Sequence, residues 1–267
     1  MKIRFISLAS GSSGNCYYLG TENYGILIDA GIGIRTIKKG LKDINVSLDS
    51  VHAVFVTHDH ADHIKCVGCL GEKYNIPVYS THKVHEGINR SYCVTEKLST
   101  CAHYIEKGET LCLKDFKISA FEVPHDGTDN IGYCIEIDGK TFSFLTDLGH
   151  ITPTAASYIC KANYLILEAN YDEEMLKMGS YPGYLKKRIS GPNGHLSNME
   201  TAEFLAENFC ENIKYIWLCH LSKDNNHPEL AFKTVEWKLR DKGIIVGKDV
   251  QVIALKRSIP SDLYEFE

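Results

Sequence analysis

Four potential metal ligands lie close together directly after an apolar segment. In AVFVTHDHADH, residues 53–63, the apolar run ends at Thr57, and the ligands that follow are His58, His60, Asp62 and His63. Imidazole and carboxylate together suit zinc and similar first-row metals, whereas calcium and magnesium favour oxygen ligands alone. Because a turn from a strand into a helix can direct such groups to two ions, the sequence predicts a metal site at this turn.

Three further apolar strands run into potential ligands. These ligands are His125 after the strand 116–123, Asp147 after 141–146 and His220 after 214–219. Strand ends hold side chains on a rigid scaffold. This repetition favours a metal site over the alternative that the histidines of 58–63 are surface residues in a polar loop.

The whole chain has the pattern of an α/β fold, in which short strands alternate with helices. Strands are predicted at 2–8, 15–20, 24–29, 52–57, 116–123, 131–137, 141–146, 163–168, 214–219 and 250–255, and helices at 33–42, 62–74, 153–160, 197–209 and 228–242. Asp138-Gly139 supplies the positive φ angles that a tight hairpin turn needs. Many strands with interspersed helices indicate two packed sheets flanked by helices.

The ligand pattern resembles the metallo-β-lactamase superfamily, whose signature H-x-H-x-D-H matches residues 58–63 without departure. The resemblance spans nearly the whole chain. It implies a single domain over 1–267, folded as a four-layer αββα sandwich of two mixed sheets flanked by helices. It also implies two bound divalent metal ions, Zn²⁺ or Mn²⁺.

The resemblance also implies a role for each ligand. His58, His60 and His125 would hold the first ion, Asp62, His63 and His220 the second, and Asp147 would bridge the two ions. Asp29, in ILIDAG, would orient a ligand histidine through its ring N–H. Asp62 would in addition act in catalysis by orienting the attacking water.

Three other segments resemble the YycJ branch of this superfamily, also called WalJ or VicX, which is related to the RNase Z group. They are SLASGSSGNCYYL at 7–19, NGHLSN at 193–198 and CHLSKDNN at 219–226. That branch is associated with 5′-to-3′ exonuclease action on DNA. The resemblance therefore implies a two-metal phosphodiester hydrolase whose partner is nucleic acid, with DNA favoured.

Polar residues in two of these segments are candidates for substrate contact. Ser12, Ser13 and Asn15 lie in a loop whose small residues allow close backbone approach, and their side chains can hydrogen-bond a phosphate. Ser222, Asn225 and Asn226 follow the ligand His220. They can line a substrate groove or, as the equally favoured alternative, make loop and helix-entry hydrogen bonds.

His195 is a candidate catalytic residue. Ser197 and Glu200 form a capping-box pattern, so a helix is expected to begin at Ser197 and to favour an anion near His195. His195 would then stabilise charge on the phosphorane or protonate the leaving oxygen, and Ser197 would contact substrate. The alternative for His195 is a cap or packing role. The basic cluster 186–188, Lys-Lys-Arg, would bind nucleic acid or be a solvated face.

Composition limits the other classes of protein. A net charge of −5 argues against a surface coated with phosphate-binding residues, although it leaves room for a local basic site. No stretch approaches the roughly 18 apolar residues of a membrane span. Ser7 and Ser10 interrupt any signal-peptide core, so the expected compartment is the cytoplasm. The ten cysteines are expected to be buried packing residues, and a redox or zinc pair at Cys66 and Cys69 is the alternative.

Two other functions fit the same ligands. A thioesterase or lactonase resembling glyoxalase II would act on small acyl compounds with the same metals. A non-enzymatic metal- or nucleic-acid-binding regulator is the third hypothesis, and a complete set of ligands argues against it.

Overall fold

The computed structural model describes all residues, 1–267. They form two compact units, each built around one seven-stranded mixed sheet. Unit 1 comprises 1–106, 127–129 and 256–267, and unit 2 comprises 107–126 and 130–255. Two mixed sheets accompanied by eight helices confirm the predicted αββα fold class. The prediction of a single domain over 1–267 stays a prediction.

Unit 1 contains a sheet of order β14-β1-β2-β3-β4-β5-β6. Its strands are β1 (Ile3–Ala9), β2 (Cys16–Gly20), β3 (Gly25–Ile28), β4 (Val51–Phe55), β5 (Val78–Ser80), β6 (Ala102–Tyr104) and β14 (Tyr264–Phe266), and its helices are α1 (Ile34–Asp43), α2 (Ala61–Ile64) and α3 (His82–Arg90). The pairs from β14 to β3 are antiparallel, and those from β3 to β6 are parallel. The parallel strands are buried on both faces, which explains their nearly continuous apolar sequences.

Unit 2 repeats this arrangement in a sheet of order β13-β12-β11-β10-β9-β8-β7. Its strands are β7 (Thr110–Leu113), β8 (Phe116–Glu122), β9 (Ile131–Ile137), β10 (Lys140–Leu145), β11 (Tyr164–Glu168), β12 (Tyr215–Cys219) and β13 (Gln251–Ala254). Its helices are α4 (Pro153–Lys161), α5 (Glu173–Met178), α6 (Gly183–Ile189), α7 (Asn198–Glu207) and α8 (Pro228–Asp241). The pairs from β7 to β10 are antiparallel, and those from β10 to β13 are parallel.

The parallel strands position the ligands. Chain segments that leave the carboxyl ends of neighbouring parallel strands emerge at the same edge of a sheet, where ligand sites of α/β folds occur. Asp29 follows β3 in unit 1, and His220 follows β12 in unit 2. Both have positive φ, 58° and 53°. Such strained backbone is typical of functional turns.

Most predicted elements are confirmed, but one helix is not. The predicted helix 62–74 is interrupted: regular helix covers Ala61–Ile64, a turn follows at 65–66, and helical structure resumes at 67 and widens to a π-helix at Cys69–Lys73. Hydrogen bonds to other segments explain the break, because the Cys66 N–H donates to the Ala30 carbonyl oxygen and the Asp62 carbonyl oxygen accepts from the Asn15 N–H, each at 2.8 Å. The backbone hydrogen bond from residue 66 to residue 62 that a regular helix needs is therefore not made.

Seven short elements were not predicted. They are β5, β6, β7 and β14, of three or four residues, and α3, α5 and α6, of six to nine residues. Segments of this length carry too few residues to show a period. The Asp138-Gly139 hairpin is confirmed, with φ of 49° and 72°. None of the helices has the length and apolar character that a membrane crossing requires.

Candidate active site

The signature residues of unit 1 gather around the turn between β4 and α2. The His58 ring lies 4.6 Å from the His60 ring and 4.1 Å from the His63 ring, measured between centroids. Asp62 Oδ2 is 3.6 Å from His63 Nε2. His58 and His63 are buried, whereas His60 and Asp62 are partly accessible. The turn therefore concentrates all four predicted ligands in one place.

A buried carboxylate orients His63. His63 Nδ1 donates to Asp29 Oδ2 at 2.7 Å, and the Thr57 N–H donates to Asp29 Oδ1 at 2.8 Å. Burial raises the pKa of Asp29, and its contacts with His63 and Thr57 partly offset this rise. Because Nδ1 is engaged, Nε2 is the nitrogen through which His63 would bind a metal ion, in exchange for the hydrogen bond that it accepts from Asn15. Asp29 is thus hydrogen-bonded to His63, and its role as the residue that orients a metal ligand stays a prediction.

Asn15 stabilises this turn through hydrogen bonds of its side chain. Its Oδ1 accepts from the Gly11 N–H at 2.9 Å, which fixes the orientation of the amide. Its Nδ2 donates to His63 Nε2 at 2.9 Å and to Asp62 Oδ2 at 3.3 Å. Gly31 allows the close approach, because a Cβ there would lie 1.6 Å from the Asp62 carbonyl oxygen. The small-residue loop therefore packs directly against the ligand turn.

Three strand ends of unit 2 bring together a second cluster. Asp147, Glu168, His195 and His220 each offer a ligand atom, and these atoms lie within 4.8 Å of one another. Asp147 Oδ1 is 2.9 Å from His220 Nδ1. Asp147 and His220 follow β10 and β12, and Glu168 is the last residue of β11. His195 comes from the loop before α7 and completes the cluster.

Glu168 is the centre of this cluster, and sequence reasoning missed it. Its Oε1 accepts from His195 Nδ1 at 2.7 Å and from His220 Nδ1 at 3.0 Å. Its Oε2 accepts from the N–H groups of Leu148 at 2.9 Å and Leu196 at 3.2 Å. Burial alone would raise the pKa of Glu168, but the two histidines hold it below its ordinary value. The sequence feature that could have identified Glu168 is its place as the one charged residue of the apolar strand YLILE, at the end of that strand.

His125 is fixed by the loop that carries His195. His125 Nδ1 donates to the Gly194 carbonyl oxygen at 2.8 Å, and Asn130 Nδ2 donates to the His125 carbonyl oxygen at 2.7 Å. Only glycine fits at 194, since a Cβ there would lie 2.1 Å from the Ile189 carbonyl oxygen. The Gly194 backbone thus orients the predicted ligand His125, and the next residue in the chain is His195.

The donor groups fit divalent metal ions. His63, His125 and His220 each donate Nδ1–H within the protein, so Nε2 is the nitrogen through which each ring would bind a metal ion. Imidazole and carboxylate in this combination suit zinc and similar metals. The types of donor atom in the His and Asp clusters therefore fit a centre of two metal ions.

The helix-terminus argument for His195 does not hold in the structure. The capping box is confirmed, because Ser197 Oγ accepts from the Glu200 N–H and the Glu200 carboxylate accepts from the Ser197 N–H. Ser197 Oγ also donates to Glu173 Oε1 at 3.1 Å. Side chains of the protein itself thus occupy this N-terminus. His195 is held by Glu168 instead.

The other candidate substrate residues divide by exposure. Ser12 and Ser13 are exposed. Ser222, Asn225 and Asn226 are buried, and the Asn226 amide donates to backbone oxygens of the β11 loop. These buried contacts fit the alternative of loop bracing, and direct substrate contact stays a prediction for all five residues.

Local contacts account for three further side chains, Cys66, Cys69 and His150. Cys66 is buried and Cys69 half-buried, and burial, with a smaller contribution from Cys69, raises the pKa of Cys66 to about 12. A neutral thiol of this kind fits the predicted packing role. His150 is exposed, and its Nδ1 donates to the Pro192 carbonyl oxygen at 2.8 Å.

A family model and two relatives match most of this chain. The model of a family described as a beta-lactamase superfamily domain matches residues 24–212. The chain is 33% identical to the exodeoxyribonuclease YycJ of Bacillus anthracis over 264 residues, covering 98% of this chain and 99% of the relative. It is 37% identical to the exodeoxyribonuclease WalJ of Streptococcus pneumoniae strain D39 over 249 residues, covering 93% of each.

Solved structures show the same fold at low identity. The metallo-β-lactamase fold protein YhfI from Bacillus subtilis aligns with a TM-score of 0.71 and 16% identity over 100% of both chains. The short form of human tRNase Z aligns with a TM-score of 0.65 and 16% identity, covering 98% of this chain and 99% of the other. At such identity these structures establish the fold alone.

Proposed function

Because this chain belongs to the metallo-β-lactamase superfamily, in the branch of the YycJ and WalJ proteins, we propose that it is a metal-dependent exodeoxyribonuclease that degrades DNA from the 5′ end. The observation that carries the proposal is identity of 33–37% to exodeoxyribonucleases over 93% or more of the chain. The exodeoxyribonuclease relatives favour this function over an acyl hydrolase.

The proposed metal ligands are the seven that the signature and the strand ends provide. His58, His60 and His125 hold one ion, Asp62, His63 and His220 hold the other, and Asp147 is shared. Bound divalent ions supply Lewis-acid activation of water and neutralise phosphate charge. Zn²⁺ and Mn²⁺ are the ions that we propose for this donor set.

His195 is the proposed general acid. Its Nδ1 donates to Glu168, so its Nε2 is the nitrogen that can give a proton to the leaving oxygen of the phosphodiester. The side chain is 15% exposed, which leaves it a path to substrate. The Glu168 carboxylate accepts from Nδ1 and so holds the ring in one orientation.

Asp62 is the proposed residue that orients the attacking water. Asn15 Nδ2 donates to Asp62 Oδ2 at 3.3 Å and so holds the carboxylate in one orientation, in which it can accept a water proton. A group held in this way loses less entropy when the reaction begins.

The test is a degradation assay on matched nucleic acids. Single- and double-stranded DNA and RNA, labelled at the 5′ or the 3′ end, are incubated with the protein under Zn²⁺ and Mn²⁺ in turn. A 5′-to-3′ exonuclease releases the 5′ label at once as a short product, while 3′-labelled DNA shortens progressively. Asp147→Ala, purified in parallel, controls for contaminating nuclease.

Two outcomes would contradict the proposal. Parent protein that leaves all four nucleic acids intact under both metals is not a nuclease. Hydrolysis of a thioester or lactone panel by the same preparation would then support the acyl hydrolase. Faster degradation of RNA than of DNA would keep the phosphodiesterase but replace its substrate.

A further inference from the structure

A helical hairpin, residues 172–190, lies between β11 and the loop that carries His195. Its helices α5 and α6 share a small apolar cluster of their own. The cluster consists of Tyr171, Leu176, Tyr181, Leu185 and Ile189. A separate cluster of this kind holds the two helices in one arrangement, so the hairpin presents a defined outer surface.

The hairpin is anchored beside residues of the candidate active site. Arg188 makes two hydrogen bonds to Asp126, Nε to Oδ2 at 2.6 Å and Nη2 to Oδ1 at 3.0 Å. Asp126 directly follows the ligand His125. At the end of α6, the Ile189 carbonyl oxygen accepts from the His195 N–H at 2.8 Å. The hairpin therefore has a fixed position next to both histidines.

An aromatic ring stands on the outer surface of the hairpin. Tyr184, in α6, is 76% exposed, and Met178, at the end of α5, is 80% exposed. A different exposed ring, Tyr104, is covered by His82, which stacks on it at 3.7 Å. The Tyr184 ring therefore has a large accessible π-face in a segment that is otherwise well packed.

The hairpin carries a small excess of positive charge in an acidic protein. It contains Lys177, Lys186, Lys187 and Arg188 against Asp172, Glu173 and Glu174, whereas the whole chain has a net charge of −5. Three of these cations have partners, since Lys177 pairs with Glu174, Lys186 donates to the Lys177 carbonyl oxygen, and Arg188 pairs with Asp126. Lys187 is exposed and three residues from Tyr184, so both side chains lie on one face of α6.

We propose that Tyr184 and Lys187 bind single-stranded DNA. The Tyr184 ring stacks on an unpaired base, and the Lys187 ammonium contacts a neighbouring phosphate. Aromatic stacking combined with a cation is the usual way in which proteins hold single strands without reading their sequence. Arg188 instead anchors the hairpin through its hydrogen bonds to Asp126. This inference rests on the proposed nuclease function and deepens it, because it assigns the strand a binding surface.

The test compares variants of the metal-loaded protein on a phosphorothioate oligo-dT of roughly 10 nucleotides, which resists hydrolysis. Tyr184→Ala should weaken binding by roughly 5- to 100-fold, the range for loss of one stacked base, while Tyr184→Trp should bind at least as well as the parent. Lys187→Ala should reduce the slope of log Kd against log salt concentration by about 0.7, because one fewer counterion is released. The matched controls are Trp237→Ala and Lys233→Ala on α8, where Trp237 is 56% exposed.

Cleavage of bis(p-nitrophenyl) phosphate separates this inference from the proposed function. Tyr184→Ala and Lys187→Ala should keep the parent rate on this small substrate. If the parent degrades DNA but Tyr184→Ala binds oligo-dT as tightly as the parent, the surface is wrong and the nuclease stands. Equal weakening by Trp237→Ala, or weakening confined to oligo-U RNA, also overturns the inference. A parent that neither binds oligo-dT nor cleaves either substrate overturns both.

Discussion

Replacing Glu168 with Gln should remove catalysis while leaving the fold intact. The carboxylate accepts four N–H groups, two from histidine rings and two from the backbone. Backbone N–H groups cannot change their role, so the Gln oxygen must face Leu148 and Leu196. The Gln NH₂ then faces the two rings, and Nδ1 of His195 must accept from it, so His195 would carry its proton on Nε2. Nδ1 of His220 can still donate to Asp147 Oδ1, 2.9 Å away, but it loses one of the two carboxylates that hold its proton.

The size of the effect follows from this change of tautomer. His220 loses a carboxylate that holds its Nδ1 proton and orients its ring, so metal affinity at the His220 site should fall by about 10–100-fold. Because Nδ1 of His195 then accepts from the amide, this ring cannot carry the second proton that a general acid releases, which should lower turnover by about 10²–10⁴-fold. Stability changes less, since two charge-assisted hydrogen bonds become neutral ones at a cost of about 1 kcal/mol each. The corresponding fall in Tm is roughly 4–8 °C.

Three measurements on one preparation check this reasoning. They are turnover on a short DNA strand, whose alkoxide leaving group must be protonated, metal content by elemental analysis, and imidazole tautomers by ¹⁵N NMR. Glu200→Gln is the matched control, because it makes the same chemical change in the capping box of α7, where Gln also functions. Parent turnover in Glu168→Gln, or unchanged Nδ1 protonation of His195, would refute the role assigned to Glu168.

Three further predictions concern metal binding, cysteine and acid stability. Asp147→Ala should lose metal from both sites, and full metal occupancy in this variant would contradict the ligand assignment. His63→Ala should lose metal chiefly from one site, and equal losses from both sites would contradict that division of ligands. The double variant Cys66→Ala, Cys69→Ala should keep metal content and turnover, and a lost metal equivalent would indicate a third site. Glu72 has a pKa lowered from 4.5 to about 2, first by the hydrogen bond from the Ser99 N–H. Its contribution to stability is therefore present above the unfolded pKa and lost as pH falls toward 2. Thermal unfolding of Glu72→Gln should differ from the parent near neutral pH and converge with it in acid; a constant difference down to pH 2 would refute this.

The amino-acid sequence by itself determined the local parts of the site. The signature 58–63 places four candidate ligands on one turn, and this spacing is visible without any fold. His125, Asp147 and His220 were predicted as ligands because each follows an apolar strand, and the hairpin at Asp138-Gly139 was predicted because its turn chemistry is local. The capping box of α7 was predicted for the same reason. Each of these features depends on neighbours within a few residues.

Only the tertiary structure decided which distant side chains meet. Glu168 contacts His195 across 27 residues and His220 across 52, because parallel strands and the loop before α7 converge in unit 2. The sequence suggested a helix N-terminus as the partner of His195, but the carboxylate of Glu168 has that role. Arg188, which looked like one of three equivalent cations, pairs with Asp126 62 residues away. Hydrogen bonds between side chains are set by the packing of whole elements, and no local pattern encodes that packing.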